Sequence, residues 1–564
     1  MQHGDGVRLD KQKIVAAFNK MDFGEAVQNT DLAKEWLQKH TINLEAPLES
    51  KLLTSIAPVK EFSDLVTKFR FFKEIVAELK KNIQLIAQLE VLIRGFTYKD
   101  AIKSITLFLD YLSFYSTQKS YKSSSKLLNA IPENISLSYV GYHIGKNDCF
   151  NNNTTLFVDQ KLAIILVAVK DIISKQCAQY QVDFGIAYKT DNSLPVLSGR
   201  TPVLVFNGAD LDSACESIVN ATYSDQGIMP WSVNIVLVQE NILDEVVAKL
   251  KHRMSQIKLG KSDDQQVDFS VPVLLGDYQA KLAETIAAAA AKGIEVFQTE
   301  NTALFVGGKV FNNTVLQASE PRIPFLNVLA FRSMKEAAVL CNNQQQTFAA
   351  SVWANDVGLV HELVHSLNVT TVWVNTHGVF HPKVPFCFDK FEDTKFLSSY
   401  EDSKESYKKS SVMQPAWAKK SEQERINTLQ NMAIELTSKL DKKNDLQLKA
   451  LEQFLVMPAF SNVQVYGLHE LKQFKEAVGV VFINKNGEFK ANLEKAIIAL
   501  SAGNGVIFHL HENDYATYNT LFKDVSDALS GLFQLVKSDI KFDYGSGTEM
   551  YYKHVWTAIG DNYV

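Results

Sequence analysis

A pair of histidines at helical spacing is the sequence feature with the clearest capacity for metal chemistry. His361-Glu362-Leu-Val-His365 has the His-Glu-x-x-His pattern, which on a helix places both imidazoles on one face with the carboxylate beside them. Such a site would bind zinc and activate a metal-bound water, with Glu392 or His377 as candidate third ligands by distance along the chain. The flanking leucines favour an ordinary amphipathic helix instead. We therefore predict no metal at His361 and His365 and keep a zinc hydrolase as the less favoured alternative.

The cysteines are the candidate nucleophiles. The chain has 5 of them, an odd number, with no Cys-x-x-Cys pair, which excludes a disulfide framework and a zinc ribbon. Two fall in predicted helices and are expected in the core, and two fall in predicted loops, where a reactive thiol stays open. The five are Cys149, Cys177, Cys215, Cys341 and Cys387; the helical pair is Cys215 and Cys341, and the loop pair is Cys149 and Cys387.

The composition excludes several classes of protein. With 58 Lys and Arg against 63 Asp and Glu the net charge is −5, which argues against a nucleic-acid binder and a basic membrane-surface protein. Hydrophobic residues at 46% allow large cores. The N-terminal residues are too polar for a signal peptide, and the apolar run 162–169 is shorter than the roughly 20 residues that cross a bilayer. We predict a cytoplasmic protein without membrane insertion.

The elements that must position these residues follow an α/β pattern. Helical periodicity dominates from 69 to 116, and strands alternate with helices through most of the rest. A charged, Ser-rich stretch, 401–424, is typical of a linker. The predicted units are an N-terminal helical segment (1–60), a first α/β unit (61–195), a second α/β unit (196–400), the linker, and a third unit (425–564). The predicted strands include 135–140, 155–158, 182–188, 203–206, 233–238, 371–374, 477–483 and 506–508, and 515–535 is predicted to be a helix.

Several segments in order and at matching spacing resemble aldehyde dehydrogenases. They are Ser-Gly-Arg-Thr-Pro followed by Asp-Leu-Asp (198–212), Asp-Gln-Gly (225–227), 236–239, 348–353 and 371–375, with Ala-Leu-Ser-Ala-Gly-Asn (499–504) in the last unit. A complete unit followed by a partial second one resembles the tandem-domain subfamily sixteen. The resemblance implies an aldehyde dehydrogenase-like fold, with a degenerate Rossmann-like cofactor domain at 61–195, a catalytic-like domain at 196–400 and a truncated cofactor-like domain at 425–564.

The resemblance also implies where the chemistry should be. The family attacks an aldehyde with a cysteine thiolate, loses hydride to NAD(P), and hydrolyses the thioester with a glutamate base. The position that matches the nucleophile is Pro230, and the position that matches the base is Val196. Neither residue can do the corresponding step, so no catalytic residue is carried over.

The family's cofactor contacts are altered in the same way. The lysine that holds the adenosine ribose matches Val158 in the first half and His509 in the second. Glu320 matches the glutamate at the nicotinamide ribose, but Arg322 replaces the aromatic residue that comes two positions later. The helix that should lie ahead of Asn153 is deleted. We therefore predict no bound cofactor.

Together these losses predict a catalytically inactive member of the family, not an enzyme, that acts as a scaffold or assembly protein. The family assembles through an arm and a shared sheet, so a homodimer or larger oligomer is expected, with a further protein partner left open. The alternatives are an NAD(P)-dependent aldehyde dehydrogenase with a relocated nucleophile, a residual ligand-binding module, and the zinc hydrolase.

Overall fold

The computed structural model of the chain describes twenty-one stretches of residues, and structural statements refer to these. They are 30–40, 42, 62–118, 130–151, 154–188, 201–262, 264, 266–272, 278–299, 302–307, 324–343, 347–382, 384, 404–440, 445–455, 462–466, 469–477, 479–483, 489–510, 512–537 and 551–558.

The first part of the described chain is helical, as the periodicity predicts. Asp64 and Thr97 begin two of the helices by accepting hydrogen bonds from the backbone N–H of Thr67 and Asp100. The apolar faces of the helices meet in one large core. The helices are α1 (Asp31–Lys39), α2 (Leu65–Lys81), α3 (Ile83–Leu89), which runs into a π turn (Glu90–Arg94), α4 (Tyr98–Tyr115) and α5 (Leu137–Lys146).

Helix α5 replaces the strand that the sequence predicts at 135–140. Ser136 caps it, and its apolar residues recur at helical spacing and are buried. Gly141 lets α5 lie directly on α4, because a Cβ there would come within 2.7–2.9 Å of Phe108. After α5 the chain forms a parallel pair of strands, β1 (Thr155–Val158) and β2 (Gly185–Tyr188), joined by α6 (Gln160–Tyr180). The predicted strand was wrong because local alternation concealed a capped helix.

A 10-stranded sheet forms the centre of the molecule. Its middle strands are parallel, and an apolar core covers each face. In sheet order the strands are β12 (Asn462–Tyr466), β13 (His469–Glu476), β17 (Tyr551–Ala558), β11 (Thr371–Val374), β10 (Ala350–Trp353), β3 (Val203–Val205), β4 (Ile235–Gln239), β9 (Leu326–Phe331), β8 (Ala303–Gly307) and β7 (Glu295–Gln298). The helices between them are α7 (Leu211–Tyr223), α8 (Leu243–Gln256), α9 (Tyr278–Ala291), α10 (Met334–Asn342) and α11 (Val357–Ser366), and a small pair, β5 (Leu259–Gly260) and β6 (Phe269–Ser270), lies beside α8 in sequence.

The last part of the chain contains a second, smaller parallel sheet. Its strands are β14 (Val480–Ile483), β15 (Gly505–Leu510) and β16 (Phe533–Lys537), and its helices are α12 (Lys404–Ala418), α13 (Glu422–Lys439), α14 (Asp445–Glu452), α15 (Phe489–Ser501) and α16 (Glu512–Ala528). The segment predicted as a linker is therefore largely helix α12. Ser410 on α12 donates to the carbonyl of Leu532 at 3.1 Å, which fixes α12 against this sheet. The single helix predicted at 515–535 is instead α16 followed by β16.

Three strands from the last part of the chain complete the large sheet. Strand β17 pairs in parallel with β11, so that Thr371 faces His554, and in antiparallel with β13, so that His469 faces Ala558. The outer edge of β11 is thus covered by residues far along the same chain. No described helix is both long enough and apolar enough to cross a membrane.

Candidate functional site

The segment around Pro230 contacts residues that are distant from it in the sequence. It comes after α7 and a tight turn (Ser224–Gly227) and leads into β4. Pro230 is buried, and its carbonyl accepts a hydrogen bond of 3.1 Å from the Thr201 hydroxyl just ahead of β3. Proline offers no nucleophile, as the sequence predicts, but the backbone at this position is held by the surrounding sheet.

The turn before Pro230 is the most unusual stretch of backbone. Asp225, Gln226 and Gly227 all have positive φ, at 51°, 61° and 65°. A Cβ at Gly227 would overlap the carbonyl oxygen of Thr222 and lie 2.6 Å from Pro324. The Gln226 amide donates 2.7 Å to the carbonyl of Arg94 and anchors the turn to the first helical part. Consecutive left-handed residues of this kind are costly and concentrate at functional sites.

Two carboxyl groups meet at this turn. The backbone N–H of Asp225 donates to Oδ2 of Asp100 at 3.1 Å, and the Thr97 hydroxyl donates to the same oxygen at 2.9 Å. Burial, together with the charge of Asp100, raises the pKa of Asp225 to about 7, while the cation of Lys103 and a hydrogen bond from the Trp231 side chain act in the opposite sense. Burial also raises the pKa of Asp100. Asp225 is half-buried, so it can exchange protons near neutral pH.

A second polar group lies on the other side of Trp231. His377 Nε2 is 2.8 Å from the carbonyl oxygen of Trp231, and His377 Nδ1 is 2.7 Å from the hydroxyl of Ser351 on β10. Burial lowers the pKa of His377 to about 4, so the imidazole is uncharged at neutral pH. Trp231 thus contacts Asp225 through its side chain and His377 through its carbonyl, and His377 also contacts Ser351, so that these polar groups lie close together beside Pro230.

Aromatic rings lie next to Trp231 and His377. The Trp231 ring lies 4.9 Å from Phe380 and 6.2 Å from Phe348, and the Trp373 ring lies 4.8 Å from His377. Rings exclude water and lower the local dielectric, which strengthens the electrostatic interactions among the polar groups.

The sequence predicts only part of this cluster. His377 is predicted there as a metal ligand alone, and functional roles for Asp225, Asp100 and Ser351 are not predicted at all. The Asp-Gln-Gly motif is the one sequence signal that points to this place.

The described cysteines do not provide a thiolate. Cys149, Cys215 and Cys341 are buried, and Cys177 is half-buried. Burial raises the pKa of Cys177 and Cys215 to about 12, and it raises that of Cys149 as well. Such thiols stay protonated at neutral pH and are poor nucleophiles. Cys387 lies outside the described residues, as do Val196, Glu320 and Glu392.

The histidine pair lies on α11, away from this cluster. His361 and His365 are exposed with ring centroids 4.8 Å apart, and Leu363 on the same helix is buried in the sheet's core. His377 is committed to Ser351 and Trp231. Within the described ranges, no three His, Cys, Asp or Glu side chains are grouped so that they could hold a metal ion. The absence of zinc stays a prediction.

The residues at the expected cofactor positions do not fit a dinucleotide. Val158 ends β1 and is buried, and the next residue, Asp159, caps α6 by accepting from the backbone N–H of Leu162 at 2.9 Å. A carboxylate at a helix N-terminus occupies the N–H groups and repels a phosphate. In the second half His509 is buried with a pKa lowered to about 4, and α16 also begins with an acidic residue, Glu512.

We expect NAD and NADP to leave the melting temperature of the protein unchanged at millimolar concentration. The reason is the charge of Asp159 at the helix N-terminus that directly succeeds β1. Differential scanning fluorimetry measures this directly. A rise of several degrees in the native protein would show a surviving site and contradict the prediction. A rise only in an Asp159→Ala variant, which lacks the carboxylate, would show a site blocked by that charge and agree with it.

A model of the aldehyde dehydrogenase family matches residues 189–388. Betaine aldehyde dehydrogenase from Bacillus subtilis is 29% identical over 206 residues, which are 33% of this chain and 40% of that protein. Omega-crystallin from Nototodarus sloanii is 28% identical over 198 residues, 34% of this chain and 40% of that protein. The match thus spans less than half the length of these relatives.

Solved structures also match, at lower identity. The HpcC protein from Thermus thermophilus has a TM-score of 0.48 and 18% identity, covering 62% of this chain and 78% of its own. A betaine aldehyde dehydrogenase from Staphylococcus aureus has a TM-score of 0.47 and 16% identity, covering 57% of this chain and 78% of its own.

These comparisons correct one interpretation drawn from the sequence. The prediction that the chain is not an enzyme is wrong against this background, because the family whose model matches is one of dehydrogenases, and so is the Bacillus subtilis relative. The scaffold interpretation rested on that prediction and loses its basis. The assignment to subfamily sixteen stays a prediction. Residues 189–388, well under half of the chain, and the mixed α/β fold around them are similar to the aldehyde dehydrogenase family.

Proposed function

We propose that the chain is an enzyme that acts on aldehydes, as the name of the betaine aldehyde dehydrogenase from Bacillus subtilis indicates for that relative, and that Asp225 is its proton-transfer group. One observation carries this proposal. A half-buried carboxyl with a pKa of about 7 lies in a strained turn directly before Pro230. Side chains that transfer protons most effectively have a pKa near the working pH.

Asp225 is the general base that the valine at position 196 cannot be. Above pH 7 its carboxylate takes a proton from a water molecule while the water oxygen adds to the carbonyl carbon and the C=O electron pair moves to the carbonyl oxygen. Asp100, held by Thr97, keeps the proton affinity of Asp225 high through its charge. The exposed ammonium of Lys103 faces both carboxyl groups and offers countercharge to an anionic adduct.

An oxidoreductase with a relocated thiol is the second candidate, and the similarity of residues 189–388 to aldehyde dehydrogenases favours it. The described cysteines are poor candidates because the thiols of Cys149, Cys215 and Cys341 are buried and the pKa values of Cys177 and Cys215 are raised to about 12. Cys387 is the cysteine that this mechanism would use. Its role is tested by Cys387→Ser in the same assay.

The rate of aldehyde conversion is expected to rise with pH through about pH 7. Asp225→Asn should lower kcat about a hundredfold or more, because the asparagine amide cannot take the proton from water. The assay follows incorporation of oxygen from ¹⁸O-labelled water into the aldehyde by mass spectrometry. Addition of water to the carbonyl and its reversal account for this exchange, and neither step needs a hydride acceptor.

Asp212→Asn is the matched control, because Asp212 is an exposed carboxylate paired with Lys249 and lies outside the cluster. It should keep the native rate and pH profile. Failure to convert any aldehyde at any pH would reject the enzymatic proposal. Conversion that survives Asp225→Asn with its pH profile intact would reject the role of Asp225 alone.

We also propose that the chain assembles as a homodimer or larger oligomer, as members of the family commonly do. The edge of β11 is covered by β17 of the same chain. A partner would therefore have to use a different surface, for example the edges at β12 or β7. The cytoplasmic location stays a prediction.

A further inference from the structure

A buried ion pair lies within the π turn that contacts the Asp225 segment. Glu90 and Arg94 are at most 1% exposed, and Arg94 Nη1 lies 3.1 Å from each carboxylate oxygen of Glu90. The second terminal nitrogen, Nη2, donates to the backbone carbonyl of Ile135 ahead of α5. Charges removed from water are stable only in such a geometry, because their attraction and hydrogen bonds must offset the lost hydration. The pair therefore holds the backbone from 90 to 94 in one arrangement.

The π turn presents a backbone acceptor to the turn before Pro230. It ends at Gly95, which has φ +74°, and carbonyl groups in the last turn of a helix have no partner within the helix. The carbonyl of Arg94 instead accepts a hydrogen bond of 2.7 Å from the side-chain amide of Gln226. Single π turns in α-helices are rare and frequently lie at functional sites.

The backbone around Gln226 is strained and needs such contacts. Gln226 and Asp225 both have left-handed φ values, which persist in residues with a Cβ only where the surroundings determine them. The Gln226 side chain is fully buried, so loss of its bond to Arg94 would leave polar groups unsatisfied away from water. A second contact, from the Asp225 N–H to Asp100 Oδ2 at 3.1 Å, joins the next residue to α4. Two adjacent residues are thus held by the segment 94–100.

We infer that Gln226 is a positioning residue for Asp225. Its hydrogen bond to the Arg94 carbonyl holds the left-handed turn in the conformation that keeps the Asp225 carboxyl group beside Asp100. The Glu90–Arg94 pair makes that acceptor rigid. Gln226 is fully buried and takes no direct part in the reaction. The catalytic consequence therefore rests on the proposed function, since Gln226 acts only through Asp225.

The charged groups around Asp225 make its position measurable. Burial raises the pKa of Asp225 to about 7, and the charges of Asp100 and Glu90 act in the same sense. The cation of Lys103 and a hydrogen bond from the Trp231 side chain act in the opposite sense. The effect of burial requires that the turn stays closed over the carboxyl group. A released turn would expose the carboxyl to water and return its pKa towards the ordinary value of 3.8.

Gln226→Met tests the inference, because methionine is also long and unbranched but cannot donate a hydrogen bond. The native protein and this variant are each compared with their Asp225→Asn counterparts by thermal unfolding from pH 4 to pH 8. In the native background the gap in melting temperature should widen up to about pH 7. In the Gln226→Met background it should stop widening at least one pH unit lower, because the folded state releases its proton earlier. The rate of oxygen exchange between labelled water and the aldehyde should fall at least tenfold.

Gln414→Met is the matched control. The Gln414 amide also donates to a backbone carbonyl distant in sequence, that of Gly503 at 3.0 Å, but in the last part of the chain. This variant should keep the native exchange rate and the native pH dependence. Arg94→Lys is a second test, because one ammonium group keeps the charge but cannot bridge both Glu90 and the Ile135 carbonyl as the guanidinium does. It should shift the pH dependence in the same direction by a smaller amount.

The outcomes separate this inference from the proposed function. Native pH dependence in a Gln226→Met protein that circular dichroism shows to be folded would overturn the inference, and so would an equal shift in Gln414→Met. If Gln226→Met does not fold, native pH dependence in Arg94→Lys would overturn it. A shifted pH dependence in a protein that exchanges no oxygen into any aldehyde would leave the inference standing and reject the proposed function. Exchange that is lost in Asp225→Asn but unchanged in Gln226→Met would do the reverse.

Discussion

Replacing Gly227 by alanine should destabilise the protein by about 2–5 kcal/mol. A residue with a Cβ costs roughly 1–2 kcal/mol in the left-handed region, and a side chain forced into a filled site costs about 1–3 kcal/mol more. Both costs apply here, because Gly227 has φ +65° and an added Cβ would overlap the Thr222 carbonyl and lie 2.6 Å from Pro324. Differential scanning calorimetry should show the loss as a melting temperature lower by roughly 2–4 °C, because the unfolding entropy of a chain of 564 residues is about 1.2 kcal/mol/K.

Gly208→Ala is the control for this prediction. Gly208 also has a positive φ, +85°, but nothing lies within 4 Å of the position that its Cβ would take. Gly208→Ala should lower the free energy of unfolding by only about 1 kcal/mol, which is the part due to backbone conformation. Equal losses at the two glycines would mean that crowding at the turn contributes nothing.

Asp225→Asn should stabilise the protein, and the gain should depend on pH. The pKa of Asp225 is raised from 3.8 to about 7 by burial and by Asp100, so the folded state holds a proton that the unfolded state releases. Stability from this group is therefore complete below about pH 4 and is lost as the pH rises to about 7. Asparagine has no such loss and can still accept the hydrogen bond from Trp231. The free energy of unfolding of Asp225→Asn should therefore exceed that of the native protein by an amount that grows between pH 4 and 7 and reaches about 2–4 kcal/mol above pH 7.

Thermal unfolding of both proteins from pH 4 to pH 8 measures this gain. Asp212→Asn, at an exposed ion pair, should follow the native curve throughout. A gain that is the same at every pH would show that Asp225 does not titrate near neutrality. A more stable but slower enzyme is the combination expected when a strained, ionisable residue serves catalysis.

The sequence predicted those parts of the site that depend on local pattern. The Asp-Gln-Gly motif pointed to the segment before Pro230, and the alternation of strands and helices predicted the α/β fold that surrounds it. Asp100 could not be assigned, because its partner Asp225 lies 125 residues away and nothing in the local pattern links them. Ser351 and His377 are 26 residues apart and meet only because β10 and β11 are neighbours in the sheet.

The errors have the same physical origin. At 135–140 a strand-like alternation was outweighed by the Ser136 cap and by close packing of Gly141 on α4. In the predicted linker, charged residues lie on the exposed side of α12, while Ser410 and Trp417 are buried against the smaller sheet. A local sequence pattern does not show which face of an element the rest of the chain will cover. Tertiary contacts therefore determined the structure both at 135–140 and in the predicted linker.

The pairing of Thr371 with His554 has a consequence for how the protein is made. At a synthesis rate of about 5–20 residues per second, β11 leaves the ribosome roughly 10–40 s before β17 does. During that interval β11 presents an open row of backbone N–H and C=O groups, which can pair with any extended chain nearby. The nascent chain therefore passes through a stage in which self-association competes with folding, and chaperone binding at this edge would protect it until the last strand arrives.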